Sequence, residues 1–364
     1  MTISMVKCNW LKVIAIGGTL VYCIILILLH SSIVRPHKKD IDHVAVPRAR
    51  QLIVLSHPRS GSSLTGDILQ HAVQSFYVFE PLHALENMLS KNVTSVKLVN
   101  GNTVAISHAS FIARSMDILE AYMTCDFRSL DHVTLTDGLQ LMSHKYIPFL
   151  TCVEDKTNNT VYMNNAVSLC LRLLERACQD SRFIVIKTVR VAMVDLLSLI
   201  TKYPSLGILH LIRDPRAVLY SKSKFGVDLQ RNTHLKARSE CKSLMRDMDT
   251  ALRLRVIFPS RVNSLYYETL VTRPLETSEA LYNGYRLTYT DQIRYHIDRI
   301  TRAGGKTQCS RFNGLCLEST NSSQNVNTWK RQLSRKIINI IDVNCKSLYN
   351  RTNYFYSRMT LKRN

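Results

Sequence analysis

Several groups of residues in this 364-residue chain have the types and spacing that chemistry needs. The first is Pro58-Arg59-Ser60-Gly61-Ser62-Ser63-Leu64-Thr65, directly after an apolar run. Gly61 permits a tight backbone path. Backbone N–H groups from Ser60 to Leu64, at the start of a helix, would converge on an anion. The serine hydroxyls add donors, and Arg59 adds a fixed positive charge. S-G-S-S is also an ordinary turn at which helices begin. No Gly-Lys pair stands in this loop and the full G-x-x-x-x-G-K-[ST] pattern is absent, so the lysine that reaches the outer phosphates of a Mg-triphosphate is missing here. The chemistry suggested is a phosphate cradle without NTPase equipment.

The second group is His210-Leu211-Ile212-Arg213-Asp214-Pro215-Arg216, followed by Ser221. Arg213 leaves an apolar run at its carboxyl end, and Pro215 suits the first position of a helix. Arg213 with Ser221 could hold a second phosphate; an Arg–Asp pair fixing a turn fits equally. Third comes Glu80, after the aromatic run Phe76 to Phe79. A carboxylate there serves as a general base if an acceptor hydroxyl comes within about 3 Å; the alternative is a structural ion pair with Arg59 or Arg190. Lys187 and Arg190 end a further apolar run, and either touch a reacting anion or balance the charge of Glu80 or Asp195. Trp329 and Lys330 open what reads as the last helix, where a lone Trp is as often a core anchor.

These residues need elements to hold them. Gln51 to Ser56, Phe183 to Ile186, Ile208 to Ile212 and Val262 to Tyr266 are short, continuous apolar runs. Such runs suit strands of a parallel sheet covered on both faces. Helical stretches accompany them at Ser62 to Gln74, Ala166 to Cys178, Ala192 to Lys202, Pro215 to Lys224 and Cys241 to Phe258. Asp67 is expected to suit the dipole in the early turns of the first helix. The alternation predicts a single α/β domain with a central parallel sheet flanked by helices, and ligands beyond the carboxyl ends of its strands.

RSGSS after a strand, FEP some twenty residues on, and RDPRAVL after another strand together resemble Golgi carbohydrate sulfotransferases. The likeness runs from about Leu52 to Cys345 and is greatest to the branch acting on the 6-hydroxyl of galactose, N-acetylglucosamine or N-acetylgalactosamine. The resemblance implies a P-loop-like sulfotransferase fold and 3′-phosphoadenosine 5′-phosphosulfate (PAPS) as donor. Arg59, Ser60, Gly61, Ser62, Ser63 and Leu64 match the 5′-phosphosulfate loop, and Arg213 and Ser221 match the 3′-phosphate site. Trp329 and Lys330 match a segment that covers the nucleotide. The implied catalytic set is Glu80 as base, with Arg59 and Lys187; Arg190 and His83 are the implied acceptor contacts. The chain departs from the pattern at Leu64, where an aromatic is common, at FEPLH for FEPLWH, at Lys222 for arginine, and at Thr269 in YETLVTRP (Tyr267 to Pro274). Sulfuryl transfer is in-line and its leaving group already carries its charge, so no metal is required.

Composition bounds the rest. A 46% hydrophobic content excludes a mostly disordered chain. The formal charge of +21 calls for an anionic partner. Residues 1–50 and 329–364 carry +5 and +8 of it, leaving +8 for the 278 residues between. The excess is therefore not one nucleic-acid patch, and no helix-turn-helix, RRM or C2H2 pattern appears. Trp10 to Leu29 is apolar except for Lys12 and long enough to span a bilayer. It is read as an uncleaved anchor in preference to a signal peptide, after a tail at 1–9 and before a stem at 30–50. Flanking charges do not orient it; the resemblance implies a Golgi type II protein with residues 51–364 in the lumen. Eight cysteines follow the anchor, with no C-x-x-C pair and no histidine at ligand spacing, which fits four disulfides in an oxidising compartment. Cys309 and Cys316 are the easiest local pair. Four sequons, at Asn92, Asn158, Asn321 and Asn350, are compatible with a lumen but no more than chance would give. A homo-oligomer is compatible with all of this. The alternative function is a non-catalytic, membrane-anchored binder of acidic glycans.

Overall fold

Alternate residues of each apolar run bury on opposite sides of one sheet, because successive side chains in a strand point to opposite faces. The computed structural model describes residues 51–302, 323, 326–352 and 354. Its main sheet holds β1 (Gln51–Ser56), β2 (Ser75–Phe79), β3 (Phe183–Thr188), β4 (Leu206–Ile212) and β5 (Val262–Tyr266). All neighbours are parallel, in the order β2-β3-β1-β4-β5. Ile53, Leu55, Phe76, Val78, Ile184 and Ile186 pack into one face. Leu52, Val54, Tyr77, Phe79, Phe183 and Val185 pack into the other. Both faces are covered, which is why the strands read as continuous apolar runs. The expected α/β class with a central parallel sheet is what the structure has.

Strand order reverses around β1, which lies between β3 and β4. The loops leaving β1 and β4 therefore meet at the crevice where such sheets bind ligands. Helix α1 (Ser62–Gln70) follows β1 and packs Leu64, Ile68 and Leu69 on the second face. A Cβ on Gly66 would lie 2.0 Å from the Tyr77 hydroxyl, so this glycine sets how closely α1 approaches β2. The helix is shorter than the sequence suggests: it ends at Gln70, and Gln74 turns the chain at φ 59° into β2. Asp67 sits in the second turn, and its carboxylate bonds Gln70 and His296. It is a side-chain partner, not the dipole-complementing charge that the sequence suggests.

Helix α2 (His83–Ser90) follows β2, and α3 (Pro215–Ser223) follows β4. The long α4 (Thr233–Ile257) starts eight residues earlier than its apolar pattern indicates. It is followed by α5 (Tyr267–Thr272) after β5, α6 (Asp291–Thr301), α7 (Thr328–Gln332) and α8 (Arg335–Asn344). Trp329 thus lies on a short helix with α8 beyond it, and does not open the last helix.

Three disulfides are described: Cys125–Cys178, Cys152–Cys170 and Cys241–Cys345. The last ties α4 to the turn after α8. The proposed anchor, tail and stem, Cys309, Cys316 and Asn321 lie outside the described residues. Among the described residues no helix is long and apolar enough to cross a membrane.

Candidate functional site

The register of the sheet brings the chemistry-bearing residues to one edge. Ser56 pairs with Leu211, Leu55 with Thr188 and Phe79 with Lys187. The chain therefore leaves β1 toward Arg59, β2 toward Glu80, β3 toward Arg190 and β4 toward Arg213 at neighbouring positions. Two of these residues turn in the left-handed region: Arg59 at φ 72° and Glu80 at φ 50°. That conformation is costly for residues with a Cβ and is concentrated at functional sites.

In the loop after β1, the Ser60 N–H donates to the His57 carbonyl (3.2 Å), closing the turn. Gly61, at φ 90°, precedes the first turn of α1. A Cβ on Gly61 would sit 2.1 Å from the Tyr267 ring, so no side chain fits there. The first N–H groups of a helix have no intrahelical acceptor, and those of α1 follow directly on the loop that leaves β1, beside β4. Ser60, Ser62 and Leu64 are buried, while Ser63 and Arg59 are partly exposed.

The two loops are bonded to each other. Arg59 Nε donates to Ser221 Oγ (3.1 Å) and Arg213 Nη1 donates to the Arg59 carbonyl (2.8 Å). The Arg59 guanidinium lies 3.9 Å over the Phe225 ring, and that of Arg213 lies 4.3 Å over Tyr267. Burial, with the Arg213 charge beside it, lowers the Arg59 pKa. An anion between the two guanidiniums would relieve that repulsion. Arg213 Nε is buried and has no hydrogen-bond partner among the described residues. An orphaned cationic N–H and a glycine cradle are what a bound phosphate or sulfate group would use.

Asp214 does not pair with Arg213. It caps α3 through the Arg216 N–H (2.9 Å) and binds the Arg216 side chain. The turn alternative is thus met by Arg216, which leaves Arg213 to the crevice. Glu268 accepts from the Asp214 N–H (3.0 Å) and from the Tyr354 hydroxyl.

On the β2–β3 side, Glu80 is 5% exposed. Its two oxygens accept from Lys187 and Arg190. Its N–H donates to the Lys187 carbonyl (2.9 Å). Arg190 also binds Glu86 (2.7 Å). Lys187 is buried and lies 4.3 Å from the Phe79 ring centroid. Burial, with Arg190 and Arg59 nearby, lowers its pKa despite Glu80. The carboxylate thus pairs with Arg190 as the structural alternative has it, adds Lys187, and does not bind Arg59 directly. Three residues on, His83 Nδ1 donates to Asp137 (2.7 Å). His83 stands in the wall of a cavity of about 420 Å³ with Asn87, Lys91, His132 and Asp137.

Trp329 is 2% exposed and packs with Ala217 and Ile338, under the Arg216 guanidinium at 4.3 Å. Lys330 is exposed.

Three contributors escape a reading of the sequence. Tyr267 walls both Gly61 and Arg213, and Phe225 carries Arg59. His57 holds the stem of the loop: Nδ1 meets Glu240 and Nε2 meets Asp247, both at 3.0 Å. Burial alone would lower its pKa, but the two carboxylates raise it to about 9. With an acceptor at each nitrogen, the ring is a cation. The position of His57 directly before Pro58 was the available signal.

A family model described as "Sulfotransferase family" matches residues 51–291. The chain is similar to carbohydrate sulfotransferase 1 of Danio rerio, at 23% identity over 84% of this chain and 78% of that protein. It is similar to carbohydrate sulfotransferase 3 of Homo sapiens, at 25% over 83% and 66%. For carbohydrate sulfotransferase 5 of Homo sapiens the figures are 27% over 70% and 66%. Among solved structures, it resembles the sulfotransferase domain of the Synechococcus PCC 7002 olefin synthase, with a TM-score of 0.46 at 14% identity, over 82% of this chain and 94% of that one.

Proposed function

Since the chain belongs to the sulfotransferase family, we propose that it moves the sulfonate of PAPS to a sugar hydroxyl, the 6-hydroxyl of N-acetylglucosamine, galactose or N-acetylgalactosamine. The observation that carries this reading is the union of two anion-ready loops, through Arg59 with Ser221 and Arg213 with the Arg59 carbonyl, at the switch point of a parallel sheet. The names of the carbohydrate sulfotransferases to which the chain is similar support the acceptor class.

In this reading the donor supplies an activated sulfonate on a leaving phosphate. Arg59 and the N–H groups of Gly61 to Leu64 hold the 5′ end, with the hydroxyls of Ser60, Ser62 and Ser63. Arg213 and Ser221 hold the 3′-phosphate, with the exposed Lys330 reaching over the nucleotide from α7, while Trp329, buried under the Arg216 guanidinium, anchors that helix to the core. A fixed donor such as Arg59, aimed at charge that grows on the bridging oxygen, contributes about 3–4 kcal/mol to the barrier reduction. Lys187 neutralises the sulfonate oxygens. Glu80 accepts the proton of the sugar hydroxyl, and Lys187 and Arg190 hold its carboxylate in place until then. His83 and Arg190 orient the acceptor, which enters by the cavity that His83 lines.

Such a protein works in the Golgi lumen as a type II membrane protein, with Trp10 to Leu29 as anchor. The test is incubation of the full chain with sulfate-labelled PAPS and a panel of glycans ending in each of the three sugars. The expected result is label on the 6-position of at least one. Bound nucleotide with no labelled glycan would overturn the reading.

A further inference from the structure

Helix α1 carries the phosphate loop at one end and an unused constellation near the other. Asp67 and His71 are four residues apart and share a helix face. His296, on α6, reaches the same spot, and its Nε2 donates to Asp67 Oδ2 (2.8 Å). The His71 and His296 rings stack with centroids 3.6 Å apart. One ligand-type atom from each of the three residues lies within 4.8 Å of the others. We propose that Asp67, His71 and His296 form a binding site for a divalent transition metal, with Zn2+ the expected occupant.

The donor set is a carboxylate and two imidazoles, which suits Zn2+. The supporting hydrogen bonds are those a metal site needs. His71 Nδ1 donates to the Asp67 carbonyl (2.8 Å), which leaves the Nε2 lone pair as the ligand. Gln70 Nε2 donates to Asp67 Oδ1 (2.8 Å), turning Oδ2 toward the histidines. Asp67 is 4% exposed and both rings are partly exposed, so the carboxylate is shielded while the metal has an entry path.

On binding, the Asp67–His296 hydrogen bond gives way to two coordinate bonds. The proton on His296 Nε2 moves to Nδ1 or to solvent. The stacked His71 and His296 rings turn so that both lone pairs converge on the metal, and a water takes the fourth position. The metal would cross-link α1 to α6 away from the reacting groups, so its effect is on stability. A search for histidine spacing passes over this site because one pair is Asp-x-x-x-His and its partner is 225 residues later, at His296.

The full chain, stripped with EDTA and dialysed, is titrated with Co2+ under visible absorption and then with Zn2+. The expected result is one Co2+ per chain with a d–d band, displaced by Zn2+, and a higher Tm with Zn2+. His296→Ala and His71→Gln each weaken Co2+ binding at least tenfold, while Glu80→Gln binds as wild type. His71→Gln, on a partly exposed ring, serves where His296→Ala fails to fold. No d–d band, a thiolate charge-transfer band in its place, or unchanged affinity in His71→Gln would overturn the site.

Discussion

Arg213 and Gly61 show how single residues decide the candidate site. Arg213 spends one N–H on the Arg59 carbonyl and leaves Nε without a partner among the described residues, so its removal takes charge from the crevice. A hydrogen bond to a charged group contributes about 1.5–3 kcal/mol. Arg213→Ala should therefore raise the donor KM about 10- to 100-fold and leave the acceptor KM alone; initial rates against PAPS at saturating glycan check this. Gly61→Ala meets both a left-handed backbone and the Tyr267 ring. It should cost on the order of 1–3 kcal/mol in urea unfolding and weaken nucleotide binding at least tenfold. Arg59 and Gly61 stood out by their place between a strand and a helix, whereas Arg213 stayed open until the structure showed Asp214 bonded to Arg216 instead. Tyr267 was not, because an aromatic at a strand end reads as core until the glycine it covers is seen. The partners of Glu80 were legible as alternatives: Lys187 and Arg190 were each read as balancing its charge or touching a reacting anion, and the register of β2 with β3 brings both to it.

At the scale of elements, the loop after β1 is held from behind by α4. His57 is bracketed by Glu240 and Asp247, and Glu240 also binds Lys222 (2.6 Å) from the end of α3. Asp247 Oδ1 accepts from the Met193 N–H (2.9 Å). One pair of carboxylates thus fixes both phosphate loops and the turn after β3. The folded-state pKa of His57 is raised from 6.5 to about 9. Its stabilisation is fully present below about pH 6.5 and is lost as pH rises through 9. His210, on β4 beside it, is buried with both ring nitrogens unpartnered among the described residues, and burial lowers its pKa to about 4. It costs stability as pH falls from about 6.5 toward 4. Together the two histidines favour the fold most near pH 6.5. Urea unfolding across this range should show the alkaline limb, on the order of 3 kcal/mol, and His57→Gln should flatten it. An unchanged limb in that variant would remove His57 from the account. The strands were legible from continuous apolar runs. The ends of α1 and α4 were not: Gln74 turns the chain at positive φ, and the first turns of α4 are mostly polar, so periodicity gave no sign of them.

For the whole molecule, the charge of +21 resolves into separate contributions. In the core a few arginines and Lys187 are placed at one sheet edge, each tied to an oxygen or an aromatic face. The excess after residue 328 includes Lys330, Arg331, Arg335 and Lys336, all exposed along α7 and α8. They form a solvated basic run near the loop after β4, suited to a polyanionic acceptor. Neutralising Arg335 and Lys336 to Gln should raise the KM for sulfated glycans several-fold at low salt and leave the donor KM unchanged. The class of the fold was legible from the alternation of strands and helices, whereas the meeting of the two loops required the order β2-β3-β1-β4-β5. Sulfonate transfer with Glu80 as base is the central claim. The direct test follows labelled sulfonate from PAPS to the best glycan acceptor in wild type and Glu80→Gln, with nucleotide binding measured on the same samples. The account predicts transfer by wild type, and a loss of at least 100-fold in Glu80→Gln with nucleotide affinity kept within about threefold. Turnover by Glu80→Gln near the wild-type rate would contradict it.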